Sequence, residues 1–296
     1  MNFQQLKQNS QNQIDAISQA LSQTQTKKES YGDDRIWKCE RDKSGNGYAV
    51  IRFLPPSEGE DLPWVRIFSH GFQGKGGWYI ENSLTTLNQD DPVSEYNREL
   101  WNNGTEAGKN QARDQKRRLN YYSNILVVQD PANPQNEGRV HLFKYGKKIF
   151  DKINDLMNPE YPDEKPVNPF DLWSGADFKL KVRMLDGYVN YDKSEFAPQA
   201  PVYDDDTELE KLWKSQYKLN ELIDPSNFKT YDELKTKLDR VLGLASFTPE
   251  PVQEEPTINT MEAPSFSTAE EVSLPSSGGD DEDDTLSYFK KLAENG

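Results

Sequence analysis

The chain has 296 residues and a formal net charge of −15, and its composition is 34% hydrophobic and 11% aromatic. This length permits one large domain or two smaller ones with a packed core, while the low apolar content predicts that part of the chain lies outside it. One cysteine, Cys39, excludes an internal disulfide framework and predicts a reducing compartment, and the lack of a long apolar run predicts neither a signal peptide nor a membrane span.

The negative charge is unevenly distributed along the chain. Residues 250–296 hold twelve acidic side chains and two lysines, a net charge of −10, so the first 249 residues carry only −5. Within that part, residues 113–152 hold nine cations and four acids, a net charge of +5. A basic segment inside an acidic protein keeps nucleic-acid binding among the possible functions.

The N-terminal residues 1–30 are rich in Gln, Asn and Ser, but four apolar residues fall near helical spacing within them. This pattern predicts a weak amphipathic helix that needs a partner surface, so we interpret the segment as a flexible arm. From Trp37 to about residue 83, short apolar runs separated by glycine turns predict the strands of a small barrel. Asp91 followed by Pro92 predicts the start of a helix through residue 101, and we expect the polar stretch 102–115 to be mobile.

Residues 116–128 combine adjacent cations with adjacent aromatic residues at the start of an apolar strand. Cations can neutralise backbone phosphates, and flat rings can stack on unpaired bases of any sequence. The alternative is a solvated helix end followed by a core strand, since charge runs are usually solvated. The candidate DNA-binding residues here are Lys116, Arg117, Arg118, Tyr121 and Tyr122.

Later segments repeat this adjacency of cations and aromatic residues. A strand over 140–145 is followed by an amphipathic helix over 149–157, and in 178–184 apolar residues alternate with three cations. Each ring alone is more often a core residue than a stacking platform, so the prediction depends on the repetition. The further DNA-binding candidates are Arg139, Phe143, Lys144, Tyr145, Lys147, Lys148, Lys181, Tyr188 and Tyr191.

Two helices are predicted toward the end of the core, over 207–222 and 231–244. Beyond them the composition shifts to Pro, Glu, Ser and Thr, which predicts a disordered acidic tail over 248–296. Near its end, apolar residues at i, i+3 and i+6 follow an acidic block, a pattern typical of a segment that folds on a partner protein, although in so short a run it can also be incidental. The candidate partner-binding residues are Leu286, Phe289 and Leu292.

Signals for catalysis are weak. His70 and His141 are the only imidazoles, and neither lies in a nucleophile elbow or a metalloprotease helix motif. The three aspartates 204–206 precede a predicted helix, where acidic residues more often cap the N-terminus than bind metal. We therefore predict that the protein is not an enzyme.

Several ordered motifs resemble the replicative single-stranded DNA-binding protein of T-even-type tailed bacteriophages. The resemblance extends from about residue 37 to residue 196 and is carried by residues 45–55 (GNGYAVIRFLP), 70–72 (HGF), 77–81 (GWYIE), 123–128 (SNILVV) and 146–154 (GKKIFDKIN). It implies an OB-fold core that binds single-stranded DNA with little sequence preference and an arm for cooperative self-association. It also implies that the acidic tail recruits phage replication and recombination proteins.

The resemblance also assigns individual positions. The basic run 116–118, the pair Tyr121 and Tyr122, and the groove aromatics Tyr188 and Tyr191 match the family's DNA-binding residues. The family's short basic motif is largely missing from the arm, so we propose apolar docking on a neighbouring copy as the substitute. The self-association residues would be Leu6, Ile14, Ile17 and Leu21.

A metal site of the family is altered in this chain. Family members bind one zinc ion through a histidine and three cysteines, and His70 occupies the histidine position. The three thiolate positions hold Ser83, Asp91 and Ser94, so a tetrahedral thiolate site cannot form. We predict that the protein has no metal or other cofactor, and that packing holds this segment instead, through Trp78, Pro92 and Tyr96.

Together these features predict an α+β fold with an OB-fold-like β-barrel core at 31–247, added helices, an N-terminal arm at 1–30 and the acidic tail. The predicted function is sequence-independent binding and protection of single-stranded DNA in phage DNA replication, recombination and repair, in the cytoplasm of the infected bacterial host. An RNA-binding translational repressor could use the same groove, and a metal-dependent nuclease using the scattered aspartates is the enzymatic alternative.

Overall fold

The structure is a computed structural model that describes residues 33–161 and 163–244. The chain divides into two compact units, Met1–Trp37 and Lys38–Gly296. In the described part of the first unit, Arg35 forms a 2.7 Å ion pair with Asp33, and a short strand β1 spans Ile36–Trp37. The predicted self-association and partner-binding residues, from Leu6 to Leu21 and from Leu286 to Leu292, lie outside the described residues.

The second unit contains eight strands and five α-helices in its described part. Its strands are β2 (Gly47–Phe53), β3 (Val65–Gly74), β4 (Gly77–Asn82), β5 (Arg118–Gln129), β6 (Val140–Tyr145), β7 (Ala176–Leu185), β8 (Tyr188–Asn190) and β9 (Glu195–Gln199). Its helices are α1 (Pro92–Asn102), α2 (Glu106–Asp114), α3 (Lys147–Met157), α4 (Asp206–Lys214) and α5 (Tyr231–Leu242). Short 3-10 helices span Leu84–Leu87, Pro134–Asn136, Leu219–Ile223 and Pro225–Asn227.

The strands of this unit form one antiparallel sheet with β2 near its middle. The order is β6–β5–β2–β7–β8, while β3 pairs with both β4 and β5 and β9 pairs with β7. In register, Ile51 of β2 lies opposite Val127 of β5 and Phe178 of β7. Pairing among the described strands does not close into a ring. The predicted α+β class is confirmed, whereas the closed barrel of an OB fold is not seen in this pairing.

The sheet packs around an aromatic core centred on the fully buried Phe53. Five aromatic rings surround it at centroid distances of 5.6–6.4 Å, those of Phe143, Tyr145, Phe170, Phe178 and Phe196. A second core joins the β3–β4 hairpin to helices α1 and α5, where Phe72 and Tyr79 stack at 5.0 Å.

One cation, Arg52, has a purely structural role. The Arg52 side chain on β2 is 1% exposed and forms a 3.1 Å ion pair with Asp177. Its Nη2 donates to the carbonyl oxygens of Asp171 and Ala200 at 3.1 and 2.6 Å. Arg52 therefore fastens the loop before β7 and the end of β9 to the centre of the sheet.

Two predicted elements were wrong. Residues 102–115, expected to be mobile, contain α2, because the Thr105 side chain caps the Gly108 N–H and Ala112 is buried. The long helix predicted over 207–222 ends at Lys214 and resumes only as a 3-10 turn. Its interruption has a tertiary cause, since Asn124 of β5 accepts from the Tyr217 N–H at 3.0 Å and donates to the Tyr217 carbonyl at 2.8 Å.

No helix in the described ranges is both long and apolar enough to cross a lipid bilayer.

Candidate nucleic-acid interface

The basic run at the start of β5 lies on the edge shared by β3 and β5. The Arg117 guanidinium carbon is 4.1 Å from the centroid of the Phe68 ring, a cation–π contact that orients it over β3. Arg118 is exposed and lies opposite Ser69 in the β3–β5 register. Strand pairing therefore holds Arg118, whereas Lys116 and Arg117 lie in the short connection between α2 and β5.

A second cation comes to Arg118 from the neighbouring strand. Lys144 of β6 lies opposite Tyr122 of β5, with its Nζ 5.8 Å from the Tyr122 ring. Desolvation of its ammonium, followed by repulsion from Lys38 and Arg118, lowers the pKa of Lys144. Lys38, Arg118 and Lys144 therefore form a cluster of like charges, which we call the cation cluster.

The positive surface continues at the N-terminus of α3. This helix begins after Gly146, has no side-chain cap and no acidic residue in its first turn, and opens with Lys147 and Lys148. A helix N-terminus carries a partial positive charge, which lysines there increase. Lys147 forms a 3.3 Å pair with Asp151, one turn later. Such an end favours a bound anion.

One aromatic residue that follows β8, Tyr191, lies near this end. Desolvation raises the pKa of Tyr191, while the nearby positive charges of Arg41 and Lys148 act in the opposite direction. Tyr188 on β8 is 40% exposed. Tyr188 is the first residue of β8 and Tyr191 directly follows that strand, which joins β7 through a two-residue turn with positive φ at Asp186 and Gly187.

The cation cluster and the positive charges near Tyr191 come from the same two chain segments, 38–41 and 144–148. Lys38 and Arg41 are three residues apart, a span of at most about 10 Å, and Lys144 and Lys148 are four residues apart across the β6–α3 junction. Between Lys38 and Arg41, the Glu40 side chain accepts from Asn133 at 2.7 Å. We call this surface, from the cation cluster to Tyr191, the basic trough.

Several predicted stacking residues lie in the core instead. Tyr121 is sandwiched between Phe150 at 4.0 Å and Tyr145 at 5.7 Å, so both faces of its ring are covered. Phe143 and Tyr145 are 5% and 3% exposed and contact Phe53, and the Tyr145 hydroxyl bonds to Ser123 at 2.9 Å. Tyr122 is nearly buried beneath Lys144. A base reaches these rings only if the surrounding side chains move.

Two predicted cations are not brought into the trough. Lys181 of β7 forms a 2.7 Å ion pair with Glu195 of β9. Next to it on the same face, Arg183 pairs with Asp192, so acids offset the cations predicted for this face of β7. Arg139 is exposed just before β6, at the opposite end of that strand from Lys144.

Lys38 and Arg41 were missed by the sequence analysis. They flank Cys39 and Glu40 in a run of mixed charge with no aromatic pair or periodicity. Only the tertiary arrangement that brings Lys144 and Lys148 close to them distinguishes these two cations from others on the surface.

The four positions that the resemblance predicts to be altered zinc ligands do come together. His70, Ser83, Asp91 and Ser94 are buried at the junction of β3, the 83–87 turn and α1, beside the start of the basic run. In the described part of the chain, no group of three or more His, Cys, Asp or Glu side chains could hold a metal ion. Asp91 uses both carboxylate oxygens in hydrogen bonds to protein groups.

Comparison with known proteins places the chain in a family. Residues 45–242 match the family model described as gp32 DNA binding protein like. The chain is 41% identical over 222 residues to the single-stranded DNA-binding protein of Enterobacteria phage T2, covering 72% of each protein. It is 40% identical over 220 residues to that of Enterobacteria phage T4, again covering 72% of each. The matched region includes β2–β9 and most of the trough, and the chain belongs to the gp32-like family of DNA-binding proteins.

Proposed function

We propose that the protein binds single-stranded DNA with little sequence preference, with the phosphates along the basic trough and bases stacked on Tyr188 and Tyr191. The observation that carries this proposal is the cation cluster. In the free protein, desolvation and the charges of Lys38 and Arg118 disfavour the charged form of Lys144, so this group gains when an anionic backbone enters, and the release of counterions from the strand adds to the gain. Rings beside cations suit unpaired bases of any sequence.

Membership in the family supports a role in phage DNA metabolism. The named relatives come from Enterobacteria phages and are called single-stranded DNA-binding proteins. On that basis the protein coats single strands during phage DNA replication, recombination and repair, inside the infected bacterial host. It does so by binding rather than catalysis, in keeping with the description of its family.

Further features of this function rest on the sequence. The proposal includes an OB-fold-like core, association of residues 1–30 with a neighbouring copy on the DNA, and recruitment of replication and recombination proteins by the acidic tail. The tail, with a net charge of −10, competes with DNA for the trough. Removal of residues 250–296 is therefore expected to strengthen DNA binding at low salt, and an unchanged affinity and salt slope would contradict this competition.

A salt titration with a matched pair of double variants tests the proposal. Poly-thymidylate is added to the unmodified protein and to Lys38→Ala/Lys144→Ala, and the quenching of intrinsic fluorescence is followed at several salt concentrations. Loss of two phosphate contacts is expected to reduce the slope of log K against log salt by roughly 1.4. The control, Lys214→Ala/Lys235→Ala, removes the same charge from exposed lysines on α4 and α5 that pair with acids one turn away.

The control variant distinguishes binding by the trough lysines from a general effect of net charge. An equal loss of affinity in both double variants would overturn the assignment of the trough, because net charge alone would then explain binding. Competition with a poly-uridylate of equal length tests the RNA-binding alternative. A preference for the ribose strand would replace DNA with RNA as the ligand.

A further inference from the structure

The residues at the four zinc-ligand positions form one buried polar cluster. His70 comes from β3, Ser83 from the turn after β4, and Asp91 and Ser94 from the start of α1. Their exposed fractions are 1%, 0%, 1% and 7%. Three chain segments that are separate in sequence therefore meet at one buried point.

Asp91 is the centre of this cluster. Its Oδ1 accepts from the backbone N–H groups of Val93 and Ser94 at 3.1 and 3.0 Å and lies 3.2 Å from His70 Nε2. Its Oδ2 accepts from Ser83 Oγ at 2.9 Å and from the Leu84 N–H at 3.2 Å. One carboxylate thus caps α1, fixes the turn at 83–84 and contacts β3.

The cluster extends to the end of α2 through His70. His70 Nδ1 donates to the Gln115 carbonyl at 2.9 Å, and the same carbonyl accepts from Asn97 Nδ2 of α1 at 3.1 Å. Gln115 immediately precedes Lys116, where the basic run begins. The position of that run is therefore coupled to the cluster through one carbonyl group.

This donor set does not fit a zinc ion. Structural zinc takes four tetrahedral ligands, usually thiolates and imidazoles, which must present free lone pairs to the metal. Of the four residues only His70 is a usual zinc ligand, and its Nδ1–H contact with a carbonyl is one that zinc-bound imidazoles also make. The other three positions hold no thiolate or imidazole: Ser83 donates its hydroxyl to Asp91, and both Asp91 oxygens already accept backbone N–H groups. A metal bound to Asp91 would have to displace hydrogen bonds that cap α1 or that hold the 83–84 turn.

We propose that the Asp91 carboxylate takes the structural place of the metal, joining β3, the 83–84 turn and α1 without any cofactor. Hydrogen bonds to an ionised acceptor are shorter and stronger than neutral ones, and burial excludes competing water. The five contacts of Asp91 link the segments that metal ligands would have linked. This proposal does not depend on DNA binding, since every contact in it is internal.

The first test uses the unmodified full-length protein. After growth in zinc-supplemented medium, elemental analysis is expected to find far less than one equivalent of zinc per chain. Dialysis against EDTA or 1,10-phenanthroline is expected to leave the thermal midpoint unchanged. One equivalent of zinc per chain, or a midpoint that falls on chelation and returns with zinc, would overturn the proposal.

The second test compares a substitution of Asp91, the centre of the cluster, with the same substitution of the adjacent aspartate, Asp90. Asp91→Asn keeps the shape of the side chain but removes its charge, and is expected to lower the thermal midpoint by roughly 5–10 °C. Asp90→Asn changes the adjacent exposed carboxylate and is expected to leave the midpoint unchanged. A similar shift in both variants, or none in Asp91→Asn, would contradict the role of Asp91. An Asp91→Asn variant too unstable to fold, beside a normally folded Asp90→Asn, supports it.

Discussion

The basic trough and the Asp91 cluster lie next to each other and use charge in opposite ways. In the trough, desolvation and the neighbouring positive charges of Lys38 and Arg118 lower the pKa of Lys144. In the Asp91 cluster, burial raises the pKa of the carboxyl group, but the hydrogen bond and charge of His70, together with hydrogen bonds from Ser94 and Ser83, outweigh it and lower the pKa of Asp91 to about 2. The first arrangement is completed by an outside anion, whereas the second is complete within the fold. Charges that serve binding therefore lie beside charges of the same sign, whereas charges that serve stability have hydrogen-bond partners within the protein.

Substitution of Arg52 has the largest expected effect on unfolding free energy. Like Asp91, Arg52 carries a charge whose partners all lie within the fold, so it tests the contrast directly. Arg52→Met keeps much of the volume but leaves Asp177 and two carbonyls without their donor, and is expected to cost about 3 kcal/mol of unfolding free energy. Urea denaturation measures this loss. DNA affinity of the folded fraction should stay unchanged, and a parallel fall in affinity at full folding would break the distinction.

The pH dependence of stability separates the two regions next. The folded pKa of Asp91 is about 2, below its ordinary value of 3.8, so its stabilisation is present above pH 4 and is lost as the pH falls from about 4 to about 2. The difference corresponds to about 2 kcal/mol of unfolding free energy. Denaturation of the unmodified protein and of Asp91→Asn across this range measures it. A loss of the same size in Asp91→Asn would show that other carboxylates are responsible.

Exposed rings are the third point of comparison. Tyr188→Ala is expected to weaken binding to poly-thymidylate by about 1–2 kcal/mol, since base–aromatic stacking contributes that much per base. Tyr161→Ala, which removes a ring that is 61% exposed, serves as the control and should not change affinity. Equal affinities of the two variants would remove Tyr188 from the interface.

Lys181 gives the smallest expected effect. Its pairing with Glu195 is already made, so DNA must compete with an existing partner for this ammonium. Lys181→Ala is expected to change affinity by less than about 0.5 kcal/mol, the typical range of an exposed ion pair. Fluorescence titration at low salt measures it, and a loss as large as that of Lys38→Ala/Lys144→Ala would extend the trough onto β7.

The sequence was sufficient wherever a local signal decides the structure. Asp91 and Pro92 predicted the start of α1, and alternation over 178–184 predicted β7 with its apolar face inward, because capping and strand periodicity are properties of neighbouring residues. The motifs around β2, β4, β5 and α3 also identified the family. The order and type of most elements therefore followed from the sequence.

Only the tertiary structure decided which side chains face the trough. Adjacent residues of a strand point to opposite faces, but β5 is covered on both, so alternation could not tell that Tyr121 packs between Phe150 and Tyr145. Lys38 and Arg41 are candidates because the tertiary fold brings 38–41 close to 144–148, segments about 100 residues apart. Composition showed that a basic surface exists, and long-range packing determined which residues form it.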